Sequence, residues 1–182
     1  MLRVLAQHTE PPAISPKACN RSNVSREDAG NGGRGRPPYP PVHLLEKQRQ
    51  LIAKYRIIED PHERLAAITA RGRKWPAPRA DERTEANRVH GCVSPVWLVS
   101  AIEDARCRFR IAAESALVQG LTALLCELYD GEPPAEVAAV EPELMHGLGL
   151  ERQLSPTRLN GLANVRRAIR EFAMQRVTSE SD

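Results

Sequence analysis

The chain has 182 residues, of which 41% are hydrophobic and only 4% aromatic, and its formal net charge is +3 at pH 7. This composition is typical of one α-rich globular domain with an extension, and no run approaches the ~18 apolar residues that a membrane-spanning helix needs. The four cysteines include no C-x-x-C pair, which argues against a zinc site or a disulfide framework. The apolar run at the N-terminus is too short for a secretory signal.

Residues 1–41 are interpreted as a disordered tail. They hold seven of the fifteen prolines and show almost no apolar periodicity, so they bury too little surface to offset the entropy lost on ordering. Arg34 and Arg36 offer weak RNA contacts, but residues 42–182 carry equal numbers of acidic and basic side chains, which argues against nucleic acid as a partner. Acidic residues in the tail argue against a transit peptide, so the expected location is the cytoplasm.

Two helices are predicted at the start of an ordered domain that spans residues 42–176. Apolar residues recur at helical spacing over residues 44–58. Asp60 and Pro61 then provide an N-cap and a first-turn proline for a second helix. Gly72 is interpreted as the C-terminal stop of that helix.

The pattern then changes to that of an antiparallel hairpin. Residues 95–102 are nearly all apolar, and residues 103–106 supply a turn. Cys107 and Phe109 follow in alternation with charged residues, as in a strand that has one solvated face. Cys107 is therefore expected in the core, as is Trp97 on the first strand.

Helical patterns return after the hairpin. Residues 117–128 form a broad apolar stripe, and Cys126 borders it as a small hydrophobe. Short helical pieces follow, and Ser155 caps a last helix. The predicted fold class is α+β, with a small antiparallel sheet of about three strands packed with helices from both ends of the chain. Residues 177–182 are expected to form a flexible C-terminus.

One cysteine stands apart from the core pattern. Cys92 follows Gly91 in the stretch RVHGCVSPVW and precedes the first strand. Glycine suits a tight turn, and loops on rigid scaffolds commonly carry reactive groups. His90 and Arg88 place positive charge nearby, which favours the thiolate. From these residues alone, a reactive thiol and an ordinary packed cysteine both stay open.

Three sequence blocks resemble the SufE family of sulfur-acceptor proteins: HGCVSPVWLV, ALVQGLTALLCELYDG and LSPTRLNGLANVRRAIREFA. They occur in the family's order, and the similarity covers residues 43–172. The resemblance implies a SufE/NifU-like fold. It also implies that the cysteine accepts sulfane sulfur as a persulfide from a pyridoxal-phosphate-dependent cysteine desulfurase, SufS-like or CsdA-like. The sulfur would then pass to iron–sulfur cluster assembly or to another sulfur-requiring pathway.

The resemblance also assigns roles to individual residues. Cys92 is the persulfide acceptor, and Arg158 either stabilises the thiolate or persulfide or helps to dock the partner. A plain solvated helix residue is the alternative interpretation of Arg158. A catalytic role for His90 rests on this sequence alone, because the resemblance assigns no role to a histidine at this position. The chain is thus expected to be a carrier and desulfurase activator rather than an enzyme, with no metal or cofactor of its own; the pyridoxal phosphate belongs to the partner.

Two other functions stay open on the sequence. A self-contained cysteine redox enzyme needs a base with an orienting partner, or a resolving cysteine in reach, and no such set is recognisable. A regulator that activates a desulfurase without carrying sulfur has no need of Cys92.

Overall fold

The computed structural model describes residues 42–179, so the predicted tail of residues 1–41 lies outside the described residues. Within the described range, six α-helices surround one hairpin. The elements are α1 (Val42–Arg56), α2 (Pro61–Gly72), β1 (Val96–Glu103), β2 (Arg106–Ala113), α3 (Ala116–Tyr129), α4 (Pro134–Ala139), α5 (Leu144–Gly147) and α6 (Pro156–Ser179). This arrangement confirms the predicted α+β class. The last helix continues three residues beyond the boundary expected at residue 176.

The hairpin forms as its sequence pattern predicts. Strands β1 and β2 pair antiparallel and are joined by a turn at Asp104 and Ala105, whose φ angles are 50° and 57°. Two successive positive φ values are the signature of a type I′ turn, whose twist matches that of the flanking strands. Cys107 and Phe109 are 0% and 1% exposed, so the alternation along β2 placed both correctly in the core.

The sheet has two strands in the part of the chain that the structure describes, rather than about three. The segment before β1 contributes only one isolated bridge, between Arg88 and Trp97. The residues before Arg88 are not extended, because Ala80–Glu82 and Glu85–Asn87 form two short 3-10 helices. The ladder therefore does not continue into a third strand.

Trp97 departs from its expected core position. It is half-buried, whereas its neighbours Val96 and Leu98 are 0% and 8% exposed. Because successive side chains of a strand point to opposite faces, burial of these two neighbours turns Trp97 away from the core.

Gly72 ends α2 as predicted, but the reason given for it was wrong. The following residue, Arg73, has a right-handed φ of −63°, so no left-handed glycine terminates the helix. A Cβ atom built on Gly72 would instead lie 2.3 Å from the Cα of Gly120, and one on Gly120 would lie 2.6 Å from the Cα of Thr69. The two glycines let α2 and α3 approach backbone to backbone.

Helix α3 is the centre of the domain. Residues 120–126 are all buried, and the helix packs against α1, α2, β2 and α6. Helix α4 packs on α6. Among residues 42–179, no helix combines the length and the apolar character needed to cross a bilayer. The loop that precedes β1 is joined to this packed core through β1.

Candidate functional site

Cys92 lies in the loop that precedes β1 and faces the first turns of α6. It is half-buried, and its Sγ donates a hydrogen bond of 3.5 Å to the carbonyl oxygen of Gly161. Burial raises the pKa of this thiol above its usual value of 9.0. The surroundings of Cys92 in the free protein therefore disfavour its thiolate form.

The turn that carries Cys92 depends on the expected glycine. Gly91 has a φ of 79°, a conformation that side-chain-bearing residues rarely adopt. A Cβ atom at this position would also lie 2.5 Å from the Nδ2 of Asn164 on α6. The Asn164 side chain is fixed in turn, because its Oδ1 accepts a hydrogen bond from the Nη2 of Arg167. A glycine is thus required at position 91 for two reasons: the backbone is left-handed there, and a side chain would clash with Asn164.

A cavity of about 500 Å³ opens beside the cysteine, between the loop, the start of α3 and the start of α6. Cys92 and Arg158 both line it, so the structure brings together two of the three predicted site residues. The rest of the lining combines hydroxyl groups with apolar side chains. The hydroxyls are those of Ser94, Ser115, Ser155 and Thr157, and the apolar residues include Val93, Val118, Leu121 and Leu162.

Arg158 lies in the first turn of α6 and is exposed. Its backbone N–H donates to the Ser155 side chain at 3.4 Å, which is the helix cap that the sequence predicted. Its guanidinium has no hydrogen-bond or ion-pair partner among residues 42–179. The positive charge is therefore free to meet an anion that enters the cavity.

His90 does not line this cavity. Its side chain is 76% exposed, and its Nδ1 lies 3.8 Å from the Oε1 of Glu85. The structure thus gives His90 a carboxylate neighbour on the surface and does not bring it together with Arg158. Its catalytic role stays a prediction.

The two other described cysteines are fully buried. Cys107 and Cys126 are both 0% exposed, as the apolar register of the sequence predicted. Burial, with a smaller effect of Asp130, raises the pKa of Cys107 to about 11 and raises that of Cys126 as well. Cys92 is therefore the accessible thiol of residues 42–179, while Cys19 lies outside the described residues.

Sequence reasoning missed the residues of α6 that hold the cysteine loop. Gly161 supplies the carbonyl, and Asn164 fills the space beside Gly91. One signal was present: Asn164 is a polar residue set between the buried positions Leu162 and Val165. A buried amide on an apolar helix face usually has a specific partner.

This fold and site define a class of protein: a small α+β scaffold that presents a thiol on a glycine turn, beside an arginine that has no ion-pair partner among residues 42–179. Comparison with known proteins then gives the family. The model of SufE, described as an Fe-S metabolism associated domain, matches residues 49–173. The chain belongs to the SufE family, whose sulfur-acceptor role alongside a cysteine desulfurase is part of iron–sulfur metabolism.

Individual relatives agree with this membership. An uncharacterized SufE-like protein of Rhizobium etli is 32% identical over 135 residues, which cover 71% of this chain and 91% of that protein. The Arabidopsis thaliana protein named SufE-like protein 1, chloroplastic/mitochondrial, is 28% identical over 145 residues, which cover 79% of this chain but only 39% of that protein. The solution structure of a hypothetical protein from Thermus thermophilus matches with a TM-score of 0.62 and 25% identity, over 72% of this chain and 96% of that one.

Proposed function

We propose that this chain accepts sulfane sulfur on Cys92 from a pyridoxal-phosphate-dependent cysteine desulfurase and stimulates that enzyme. It then passes the sulfur to iron–sulfur cluster assembly or to another sulfur-requiring pathway. The observation that carries the proposal is the shared cavity of Cys92 and Arg158. Family membership supports it, as does the full burial of Cys107 and Cys126.

The transfer is a thiol–persulfide exchange. The thiolate of Cys92 attacks the terminal sulfur of a persulfide on the desulfurase cysteine; the new S–S bond forms as the old one breaks, and the desulfurase cysteine leaves as a thiolate. The proton of Cys92 must be removed first, because only the thiolate is nucleophilic. No net oxidation or reduction takes place, since the sulfane sulfur is exchanged between two thiols.

The cavity suits both the resting and the loaded state. In the resting state the Cys92 S–H donates a hydrogen bond to the Gly161 carbonyl, and burial raises the pKa of the thiol. In the loaded state the cavity has room for one more sulfur atom. Arg158 supplies a positive charge for the persulfide anion, and the hydroxyl groups around it supply hydrogen-bond donors.

The chain is a carrier in this scheme and holds no cofactor for the reaction, because pyridoxal phosphate stays with the desulfurase. The cytoplasm is the location that we propose for this carrier. The name of the Arabidopsis relative places that protein in chloroplasts and mitochondria.

Intact mass after incubation with a desulfurase, pyridoxal phosphate and cysteine tests the proposal. Wild-type protein should gain one sulfur atom that a reductant removes, and Cys92→Ser should gain none. Peptide mapping should place the added sulfur on Cys92. Addition mainly at Cys107 or Cys126, or an unchanged mass with an active desulfurase, would reject the proposed carrier.

A further inference from the structure

A second cleft lies on the other side of the first half of α6. Its volume is about 460 Å³, and it shares Leu162 with the cavity of Cys92. Three arginines and a single carboxylate line it: Arg166, Arg167, Arg170 and Glu141. The remaining lining residues are apolar: Leu125, Pro142, Met145, Leu159, Leu162 and Ala163.

Arg166 is a buried cation with few partners. Its side chain is 7% exposed and lies over the ring of Tyr129, with 4.7 Å between the guanidinium carbon and the ring centroid. The Nη2 donates to the carbonyl of Val140 at 2.8 Å and to Glu141 at 3.2 Å. The Nε and Nη1 have no partner among the described residues. Burial of unpaired donors is unfavourable, so this charge favours an anion nearby.

The other two arginines of the cleft have no carboxylate partner among residues 42–179. Arg167 donates to the side-chain amide oxygen of Asn164, and the Nε of Arg170 donates to the carbonyl of Ala138 at 3.2 Å. Both arginines are exposed. Glu141 is therefore the one acidic group for three guanidinium groups, and its own side chain is 66% exposed.

We propose that this cleft binds an acidic segment of the desulfurase that docks over Cys92. Carboxylates of the segment pair with Arg167 and Arg170 in the field of the buried Arg166, and an apolar side chain fills the floor. The cleft adjoins the cavity of Cys92, because Leu162 lines both, so a partner docked over Cys92 needs to extend only across α6 to enter the cleft. This inference rests on the proposed function, since it concerns the same partner.

The test measures binding in the absence of sulfur chemistry. The Cys92→Ser protein is titrated into a desulfurase whose nucleophilic cysteine is replaced by serine and which keeps its pyridoxal phosphate. Arg170→Glu should weaken binding by about tenfold or more, and the loss should shrink at high salt. Glu141→Gln should tighten binding, because it removes the competing carboxylate. Arg176→Glu is the matched control: it makes the same charge change on α6 outside the cleft and should have little effect.

Each result decides the question. If Arg170→Glu and Arg176→Glu weaken binding equally, the cleft assignment is overturned. The carrier role stays intact in that case if the wild-type protein still gains sulfur. A weaker complex for Glu141→Gln would also overturn it, because the cleft would then not favour an acidic ligand. Failure of the parent pair to bind would overturn the cleft assignment. Binding that depends on Arg170, without sulfur gain by the wild type, would support the cleft and reject the carrier role alone.

Discussion

Replacement of Gly91 by alanine tests how the cysteine loop is held. A φ of 79° is a left-handed conformation, which costs an alanine ~1–2 kcal/mol. The new Cβ would also lie 2.5 Å from the Nδ2 of Asn164, so the amide must move and weaken its bond to Arg167, at a further ~1 kcal/mol. Gly91→Ala should therefore lower the free energy of unfolding by ~2–3 kcal/mol.

A double-mutant cycle separates the two parts of this cost. The three atoms nearest to the alanine Cβ belong to the Asn164 side chain beyond its own Cβ, so Asn164→Ala removes the closest contact, at 2.5 Å. Gly91→Ala made in that background should cost only the backbone part, ~1–2 kcal/mol. Urea unfolding followed by circular dichroism measures all four proteins. If the stability losses of Gly91→Ala and Asn164→Ala simply add in the double variant, the two residues do not clash. If Gly91→Ala is as stable as the wild type, the argument from the φ of Gly91 is wrong as well.

Four further predictions concern the site and the packing. Arg158→Ala should slow sulfur transfer while the free energy of unfolding changes by less than ~1 kcal/mol. His90→Ala tests the catalytic role predicted for His90 and should slow transfer less than Arg158→Ala, because His90 lies outside the cavity. Stopped-flow and urea unfolding measure the transfer rate and the stability, and an equal slowing by both variants would contradict the assignment of Arg158. Iodoacetamide should alkylate Cys92 more slowly than a peptide thiol near neutral pH, because burial raises the pKa of Cys92. Addition of a catalytically dead desulfurase should speed the alkylation. If Cys92 reacts at the peptide rate and the desulfurase does not change that rate, the thiol is not sheltered. The free energy of unfolding should fall as the pH rises from about 9 to about 11, because Cys107 and Cys126 stay protonated in the folded protein while the unfolded thiols ionise. Cys107→Ala should reduce that slope, and Cys126 should retain part of it. A pH profile by urea titration that is the same in both proteins would count against the prediction. Gly120→Ala should destabilise the fold by ~1–3 kcal/mol, because the new Cβ forces α2 and α3 apart. Gly161→Ala should instead stabilise α6 by up to ~1 kcal/mol, because its Cβ lies at an ordinary 3.5 Å from the Cys92 Sγ. Thermal melts compare the two variants, and equal shifts in melting temperature would contradict the packing argument.

The sequence predicted the features that local periodicity and turn chemistry determine. The alternation along β2 put Cys107 in the core, and the cap at Asp60 began α2, where the Asp60 side chain accepts hydrogen bonds from two backbone N–H groups at 2.8 and 2.9 Å. Cys92 was separated from the buried cysteines because it precedes the strand and follows a glycine. These assignments depend only on residues near each other in the chain.

Features that depend on distant residues were missed. The role of Gly72 comes from Gly120 on another helix, and the space beside Gly91 is filled by Asn164 from α6. The spacing of apolar residues predicts helices and strands but not which of them pack together. The contacts of Gly72 with Gly120 and of Gly91 with Asn164 were therefore not predictable from it. The burial of Trp97 was overestimated because a nearly continuous apolar strand does not show which face meets the core.

The hydrogen bond between Cys92 and Gly161 joins residues 69 positions apart, and this sets an order of events during synthesis. The ribosome makes Cys92 and the hairpin well before α6. Helix α6 supplies the carbonyl of Gly161, the side chain of Arg158 and the side chain of Asn164 that contacts the turn at Gly91. A nascent or prematurely terminated chain that stops before Pro156 therefore carries the thiol without the pocket that shelters it. The cavity is complete only once the first turns of α6 have been made, so a chain that stops earlier lacks it.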